Sequence, residues 1–501
     1  MTVRPPAEPM LDAQRGQPTP FAQAIVPIAI LAVLILYGLL IRPLALGQAA
    51  MPLEVIFPLA SVFAIGWLRW LGHGWADIQN SIVARMGRGV PGFFILFAIG
   101  LLIGSWMVSG TIPMLVYWGI RVISPQWLYL LAFLVPIVFS TITGTSWGSA
   151  GTVGVVIMGI AMSVGADLAI TAGAVIGGSY FGDKLSPLSD TTVMASLGAE
   201  VDLMDHVRSM LWTTIPSAVA AALVYTVVGL LHPPAGSGTT AESAAFLASL
   251  ERMFRFNPIL LLPPAIVLVG SIRRFPTIPV LGVGILVAAL LAITVQPFGA
   301  ADVFTSLRTG FTPEMAAAWA GDVPEGVARL VARGGLYSMR EAVFVAFLVF
   351  FFIGAIDRID AMPTVVSRIF HFAKSRPATV LSALGAAAVT NSLTSNQYAT
   401  SFIVGDAFRA KFDRLGIPRR VLSRSIEDTG TMIEPIVPWH PTALFMVATL
   451  GVPVAEYWRW ELLTLFNFIV APVLAITGIG CFYGEKSGSS EADLRAENSP
   501  Q

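Results

Sequence analysis

The chain has 501 residues, of which 55% are hydrophobic and only 12% charged, and its mean hydropathy is +0.76. A soluble domain carries about 25% charged residues because its surface faces water, so most of this chain's surface must face lipid. The net charge is zero, which gives no reason to expect a nucleic-acid partner. The single cysteine, Cys481, excludes a disulfide framework and a cysteine-based metal site. We therefore expect an all-α polytopic membrane protein.

Apolar segments follow one another along most of the chain. The first, from Phe21 to Leu46, is longer than a signal-peptide core and predicts a first transmembrane helix rather than a removed leader. Because a span needs about 20 mostly apolar residues, the whole pattern predicts about 11 to 13 transmembrane segments. The candidate segments lie roughly at 22–46, 52–71, 91–123, 127–143, 150–165, 167–181, 211–232, 258–272, 276–296, 341–371, 378–393, 397–410, 437–450 and 460–483.

Composition also divides the chain into regions. The stretch from Pro233 to Leu250 is rich in Pro, Gly, Ser, Thr and Ala and marks a linker near the middle. Lysines and arginines cluster between Arg409 and Arg424, which favours a cytoplasmic loop there. The predicted regions are a polar tail (1–20), N-terminal transmembrane helices (21–82), a first repeat (83–232), a linker with connecting helices (233–330), a second repeat (331–483) and a polar C-terminal tail (484–501).

The two predicted repeats share residues at a nearly constant spacing. Thr143–Trp147 aligns with Thr394–Tyr398, 251 positions later, and the same spacing places Asp183 on Glu434. Pro187 and Thr191 also fall on a proline and a threonine at this spacing. Chance similarity between two apolar arrays is the alternative explanation. An odd number of spans in each half would invert the two repeats across the membrane, an architecture of many secondary transporters.

A polar run rich in Gly, Ser and Thr interrupts each repeat. The first covers residues 140–152 and includes Thr145 and Ser146, and the second covers 390–398 and includes Asn396 and Gln397. Unsatisfied polar groups in lipid cost several kcal/mol each, so these side chains should line a cavity. We therefore predict broken helices or hairpins near the membrane midplane, with small-residue helix packing as the alternative.

A charged run follows in each repeat. The first contains Asp183, Lys184, Ser189, Asp190 and Thr191 between apolar segments. The hard oxygens around Asp190 are ligands that sodium prefers. The equivalent run supplies further carboxylates and a histidine, namely Glu427, Asp428, Glu434 and His440.

Clustered carboxylates can carry protons as well as cations. Burial and like-charge repulsion favour the protonated form of at least one of them. A site that binds either a proton or sodium would couple the two flows by competition. His440 could relay protons, and a structural hydrogen-bonding role for it is an equal alternative.

The charged runs resemble the NhaC family of sodium/proton antiporters, part of a wider ion-transporter superfamily. The most specific match is the run from Gly177 to Thr192, which reads GGSYFGDKLSPLSDTT. Shorter matches support it over most of the chain, from about Arg85 to Gly478: 144–148, 333–336, 423–430 and 438–439. The family has asparagine where His440 stands, and Glu434 also departs from its pattern. The resemblance implies electrochemically driven exchange, and in some members exchange of malate and lactate with sodium and protons.

The leading hypothesis is a secondary transporter that exchanges sodium for protons by alternating access. Its candidate site residues are Thr145, Ser146, Asp183, Ser189, Asp190, Thr191, Asn396, Gln397, Asp428, Glu434 and His440, and its candidate sodium ligands are Asp190, Asp183 and Asp428. The alternative is a sodium- or proton-coupled carboxylate exchanger, in which Lys184 or Arg424 would hold the organic anion.

Other classes of protein fit less well. An intramembrane enzyme lacks support because the chain has no HExxH motif, and Tyr180 occupies the first glycine position of a GxGD motif. We expect no cofactor, since sodium and protons are the transported species. The expected partners are the lipid bilayer, the two ions and, in the alternative, a small organic acid; a homodimer is one assembly that this architecture permits. The expected location is the bacterial inner membrane.

Overall fold

The fold is built from helices throughout the part of the chain that the computed structural model describes, residues 19–234, 240–370 and 373–483. The predicted C-terminal tail, most of the N-terminal tail and residues 235–239 of the linker lie outside these ranges. The α-helices up to residue 234 are α1 (Phe21–Ile35), α2 (Arg42–Leu44), α3 (Leu53–Trp70), α4 (Trp75–Val108), α5 (Thr111–Val122), α6 (Leu128–Thr143), α7 (Ser146–Ser149), α8 (Val155–Ser163), α9 (Leu168–Leu185), α10 (Asp190–Ala199) and α11 (Leu203–Leu231).

The second part of the chain continues in the same way, and short 3₁₀ and π-helical turns join several of its helices. The α-helices from residue 240 are α12 (Thr240–Met253), α13 (Leu262–Ile272), α14 (Thr277–Thr294), α15 (Ala300–Thr309), α16 (Ala317–Ala320), α17 (Glu325–Val331), α18 (Arg340–Asp357), α19 (Ala361–Ile369), α20 (Arg376–Thr394), α21 (Gln397–Arg414), α22 (Arg419–Ile426), α23 (Pro441–Leu450), α24 (Val454–Tyr457) and α25 (Leu462–Thr477).

Eight helical segments of the described residues are long and apolar enough to cross a membrane, or ten if each of two bent helix pairs counts as one span. This confirms an all-α polytopic membrane protein. The sequence-based count of about 11 to 13 is higher because it includes α9, α20 and α21, which are long enough to span but contain many polar residues. The eight segments are Phe21–Leu44, Leu53–Trp70, Trp75–Val108, Pro125–Thr143, Ser146–Ser163, Leu203–Leu231, Thr277–Thr294 and Leu336–Asp357.

The buried apolar side chains form two main cores. One core surrounds the second half of α4 with α5, α6, α8, α9 and α14. The other surrounds α3, α18, α20, α21 and α22. Glycines allow the closest helix contact: a Cβ atom on Gly182 of α9 would lie 2.1 Å from the Ser140 Oγ of α6. The end of α9, which carries the charged run of the first half, is therefore held tightly against α6.

Turns recur at matching positions of the two halves. Left-handed backbone residues end equivalent helices, at a spacing of 250 or 251 positions. The pairs are Gly110 and Asp360 (φ 80° and 45°), Gly144 and Ser395 (71° and 48°), Gly165 and Gly416 (64° and 62°), and Glu200 and Gly451 (55° and 77°). Three of these residues are not glycine, so these conformations are uncommon and informative. The two halves thus share one order of helices and turns.

Helix caps and contacts between the halves follow the same spacing. Thr145 caps α7 by accepting a hydrogen bond from the Gly148 amide at 3.2 Å, and Asn396 caps α21 by accepting one from the Ala399 amide at 2.8 Å. Trp147 of α7 stacks on Phe445 of α23, with ring centroids 4.6 Å apart. Its counterpart Tyr398 donates a hydrogen bond to Asp190 of α10. The broken helix of each half therefore contacts the equivalent helix of the other half.

Candidate ion-binding site

Helix α9 brings three clusters of polar side chains together near its C-terminal end. The side chain of Asp167 caps the start of the helix at Leu168, and the helix ends at Leu185, before Ser186 and Pro187. Tyr180, Asp183 and Lys184 lie three and four positions apart on its last turns, so they share one face. All three are buried, and each contacts a different cluster. We name these clusters after Asp183, Lys184 and Glu434.

The Asp183 cluster surrounds one carboxylate with hydroxyl groups. Ser146 Oγ donates a hydrogen bond to Asp183 Oδ2 at 2.5 Å, and Ser189 Oγ donates one to Oδ1 at 2.7 Å. Thr191 Oγ1 lies 2.9 Å from Ser189 Oγ. No basic side chain of the described residues forms an ion pair with Asp183. Its negative charge therefore has hydrogen-bond donors but no compensating cation.

The Lys184 cluster is an ion pair fully enclosed by protein. Lys184 Nζ lies 2.6 Å from Asp428 Oδ1 and 2.8 Å from Asn467 Oδ1, with the two charged side chains 0% and 1% exposed. Thr213 donates a hydrogen bond to Asp428 Oδ1 at 2.8 Å, and Arg424 Nε lies 3.8 Å from Asp428 Oδ2. Asp428 is thus occupied by two cations and a hydroxyl group.

The Glu434 cluster holds the carboxylate that is equivalent to Asp183. Tyr180 and Thr442 donate hydrogen bonds to Glu434 Oε2 at 3.0 and 3.1 Å, and Asn391 Nδ2 donates one to Oε1 at 3.0 Å. The same Asn391 amide lies 3.1 Å from Gln397 Oε1. As for Asp183, neutral donors surround the carboxylate.

His440 completes the Glu434 cluster. Its Nδ1 accepts a hydrogen bond from the Thr442 backbone amide at 3.2 Å, which places the ring hydrogen of the neutral form on Nε2. Nε2 is buried, has no hydrogen-bond partner in the described residues and lies 4.0 Å from Glu434 Oε1. His440 also caps α23, so it has a structural contact in addition to its position beside the carboxylate.

A fourth carboxyl group, that of Glu427, lies near the three clusters. Glu427 is 0% exposed, and within the described residues neither of its side-chain oxygens has a hydrogen-bond partner. It begins a π-helical turn, Glu427–Thr431, and interacts electrostatically with Asp183, Lys184 and Glu434. π-Helical turns are rare and often occur at functional sites.

The structure brings some predicted site residues together and separates others. Asp183, Ser146, Ser189 and Thr191 form one cluster, whereas Glu434, His440 and Gln397 belong to another. Asp190 is exposed at the start of α10, and Thr145 and Asn396 serve as helix caps. The predicted sodium ligands Asp183, Asp190 and Asp428 therefore lie in three different environments. Among the described residues, no three His, Cys, Asp or Glu side chains converge as a metal-binding group.

Several contacting residues were not among the predicted ones. Tyr180, Asn391 and Thr442 bind Glu434, while Thr213 and Asn467 bind Asp428. Asn467 offers a signal that sequence alone could have used, because it is a lone amide within the apolar helix α25. Tyr180 offers a weaker one, since it lies three positions before Asp183 on the same helix face.

The sequence of this chain is similar to those of several known transporters. The sequence profile described as the Na+/H+ antiporter family matches residues 115–208 and 178–479. An uncharacterized Na(+)/H(+) antiporter of Haemophilus influenzae is 38% identical over 439 residues, covering 87% of this chain and 93% of that protein. The Na(+)/H(+) antiporter NhaC of Alkalihalophilus pseudofirmus is 36% identical, covering 86% and 90%. The Malate-2H(+)/Na(+)-lactate antiporter of Bacillus subtilis is 33% identical, covering 82% and 86%.

Proposed function

Because the chain belongs to the Na+/H+ antiporter family, we propose that it exchanges sodium for protons and that Asp183 and Glu434 bind the exchanged ions. The family assignment confirms the resemblance to NhaC proteins and the expectation of a transporter rather than an enzyme. The assignment and the apolar helices together indicate a multi-pass membrane protein. The bacterial relatives support a location in the bacterial inner membrane.

One observation carries this proposal: equivalent positions of the two halves hold buried carboxylates with neutral donors, and within the described residues neither carboxylate pairs with a lysine or arginine. An ionised carboxylate in such surroundings is costly unless a positive charge joins it. A bound proton and a bound sodium ion both supply that charge. Because either ion neutralises the same group, binding of one displaces the other, and this competition couples the two fluxes.

The shared order of turns in the two halves supports a transport cycle. We propose that the halves are inverted repeats, and that the cycle alternates access to the clusters by moving one part of the molecule against the other. Tyr180 connects the parts directly, because it lies on α9 of the first half and bonds Glu434 of the second. A change in the charge of Glu434 would therefore alter the strength of a hydrogen bond between the two halves.

Carboxylate exchange is the second candidate, supported by the similarity to a malate/lactate antiporter. It would need a cation to bind the organic anion, and Lys184 and Arg424 of the Lys184 cluster are the candidates. Both already face Asp428, and Lys184 also contacts Asn467. An organic acid would have to displace these contacts, so the geometry favours sodium and protons as the exchanged species.

The test uses purified protein in liposomes with an imposed proton gradient and a pH-sensitive dye. We expect sodium to collapse the gradient with the wild type, and Asp183→Asn and Glu434→Gln to abolish the response. Glu341→Gln provides a matched control, since Glu341 is an exposed glutamate in the first turn of α18. A response to malate or lactate in place of sodium would transfer the function to carboxylate exchange. Unchanged activity in both acid variants would refute the proposed site.

A further inference from the structure

A buried carboxyl group outside the three clusters, Glu461, has no role in the function proposed above. It lies where the segment Val454–Trp460 meets Leu462–Thr477 and the helix axes bend by 54°. Its side chain is 0% exposed. Oε2 accepts a hydrogen bond from the Thr464 amide at 3.0 Å, whereas Oε1 has no partner among the described residues.

Helix α9 makes room for this carboxyl group. A Cβ atom on Gly177 would lie 2.9 Å from Glu461 Oε1, and one on Gly173 would lie 2.3 Å from the carbonyl oxygen of Trp460. Two glycines one helical turn apart therefore let the bend approach α9 closely. Glu461 lies against α9 one turn before Tyr180, the residue that bonds Glu434.

Glu461 and Glu434 thus both meet α9 on neighbouring turns. Glu461 lies against Gly177, and Glu434 accepts a hydrogen bond from Tyr180, three positions later on the helix. Three residues correspond to a rise of about 4.5 Å along the helix axis. A second contact connects the same two regions: Tyr457, four residues before Glu461, donates a hydrogen bond to the carbonyl of Pro435, the residue next to Glu434.

The surroundings of Glu461 suit a proton better than a metal cation. The titratable groups that face it are Tyr225 of α11 and Tyr457 of α24, and neither supplies a positive charge. The Thr464 amide directs its hydrogen at Oε2, where a cation would be repelled. An ionised carboxylate here would be stabilised by a single backbone donor, so its burial would cost free energy. A bound proton removes that cost by neutralising the group.

We propose that Glu461 is a proton-relay carboxyl group that exchanges protons with Glu434 and binds no sodium. This inference rests on the proposed sodium/proton exchange. In the relay step the O–H bond of protonated Glu461 breaks and an O–H bond forms on the Glu434 carboxylate. Glu461 is then ionised until it takes up the next proton from the aqueous side. The total charge of the two carboxyl groups is unchanged by this step.

Two transport assays separate the relay from a structural role. Exchange of radioactive sodium for unlabelled sodium in liposomes needs no proton, whereas sodium uptake driven by a proton gradient does. Glu461→Gln keeps an oxygen that can cap α25 but cannot pass a proton. We expect it to retain sodium/sodium exchange and to lose proton-driven uptake by about a hundredfold, the low end of what a positioned proton-transfer group contributes. Glu461→Asp should restore part of the proton-driven rate.

The outcomes are distinct. Glu456→Gln, a change of an exposed glutamate five residues earlier, should leave both assays as in the wild type. Wild-type proton-driven uptake in Glu461→Gln would overturn the relay, and equal losses in both assays would show that Glu461 only supports the fold. Absence of both sodium activities in the wild-type protein would instead overturn the proposed function. Gly177→Ala, which places a methyl group against Glu461 Oε1, should reproduce the selective loss of proton-driven uptake.

Discussion

Replacing Lys184 with methionine would remove one partner of the buried ion pair. Asp428 would keep its hydrogen bond from Thr213 and the more distant Arg424, but would lose the ammonium group at 2.6 Å. Removing one member of a buried pair costs about 3–5 kcal/mol, because the remaining charge is left without compensation. Since Arg424 supplies partial compensation, we expect Lys184→Met to destabilise the protein by about 3 kcal/mol, the lower end of this range.

The double variant Lys184→Met/Asp428→Asn tests the reason for that cost. It removes both charges, and replacing a buried pair by neutral groups is often close to neutral in stability. We expect it to lose less stability than Lys184→Met alone, although it carries one more change. Equilibrium unfolding in micelles with a rising SDS fraction measures the difference. Glu325→Gln, in an exposed ion pair with Arg329, is the control and should change stability by less than about 1 kcal/mol.

Two results would refute this reasoning. If Lys184→Met is as stable as the wild type, Asp428 is not held as a charge by Lys184. If the double variant is less stable than either single variant, the pair is not the source of the cost. Transport by the double variant is informative as well: sodium/proton exchange should persist when the pair only joins α9 to the second half. Loss of transport in a stable double variant would assign Lys184 or Asp428 to the transported species.

The other predictions concern the Asp183 cluster and its packing. If protons and sodium compete for one carboxylate, the apparent KM for sodium should rise as the pH falls, by about tenfold per unit where the pH lies below the pKa of that carboxyl group. The maximal rate should be unchanged, and dye assays over a pH series would measure both. Ser146→Ala removes a hydrogen bond that stabilises the ionised Asp183 carboxylate, so the loss favours the protonated form. The KM for sodium should therefore rise about tenfold in the same assay. An unchanged KM would contradict the assigned contact. Gly182→Ala should destabilise the protein by about 1–3 kcal/mol or more, because its Cβ would lie 2.1 Å from atoms of α6. Gly92→Ala in α4 is the control and should be neutral or stabilising, because the space around Gly92 is open. Unfolding in SDS micelles compares the stability of the two variants.

Much of the architecture could be predicted because it depends on local sequence. The spacing of 251 residues aligns Gly144 with Ser395 in the two polar runs, and both residues adopt the left-handed conformation. Thr145 and Asn396 are good helix caps by residue type, and both act as caps. Asp183 was predicted as a site residue because charge is rare within an apolar segment, and it is buried in a hydroxyl cluster.

The contacts that local sequence did not predict come from residues that are distant in the chain. Asp428 was predicted as a sodium ligand, yet Lys184 and Asn467 contact it from two other helices, and no local pattern announces either contact. Asp190 was predicted as a ligand because of the hydroxyl groups around it. It begins α10, and an acidic residue in the first turn of a helix has an ordinary electrostatic reason to be there. Local sequence therefore identified the polar segments but not which acids lack a cation.

The two acids without cations are equivalent in position but not in environment. Asp183 is bound by two serine hydroxyl groups, whereas Glu434 is bound by a phenol, a threonine and an amide and has a histidine 4.0 Å away. His440 and Glu434 are two positions at which the sequence departs from the NhaC pattern, and the structure places them side by side. The titratable neighbour of Asp183 is instead an acid, Asp190. The two halves therefore present different donor sets to an ion, although their carboxylates occupy equivalent positions.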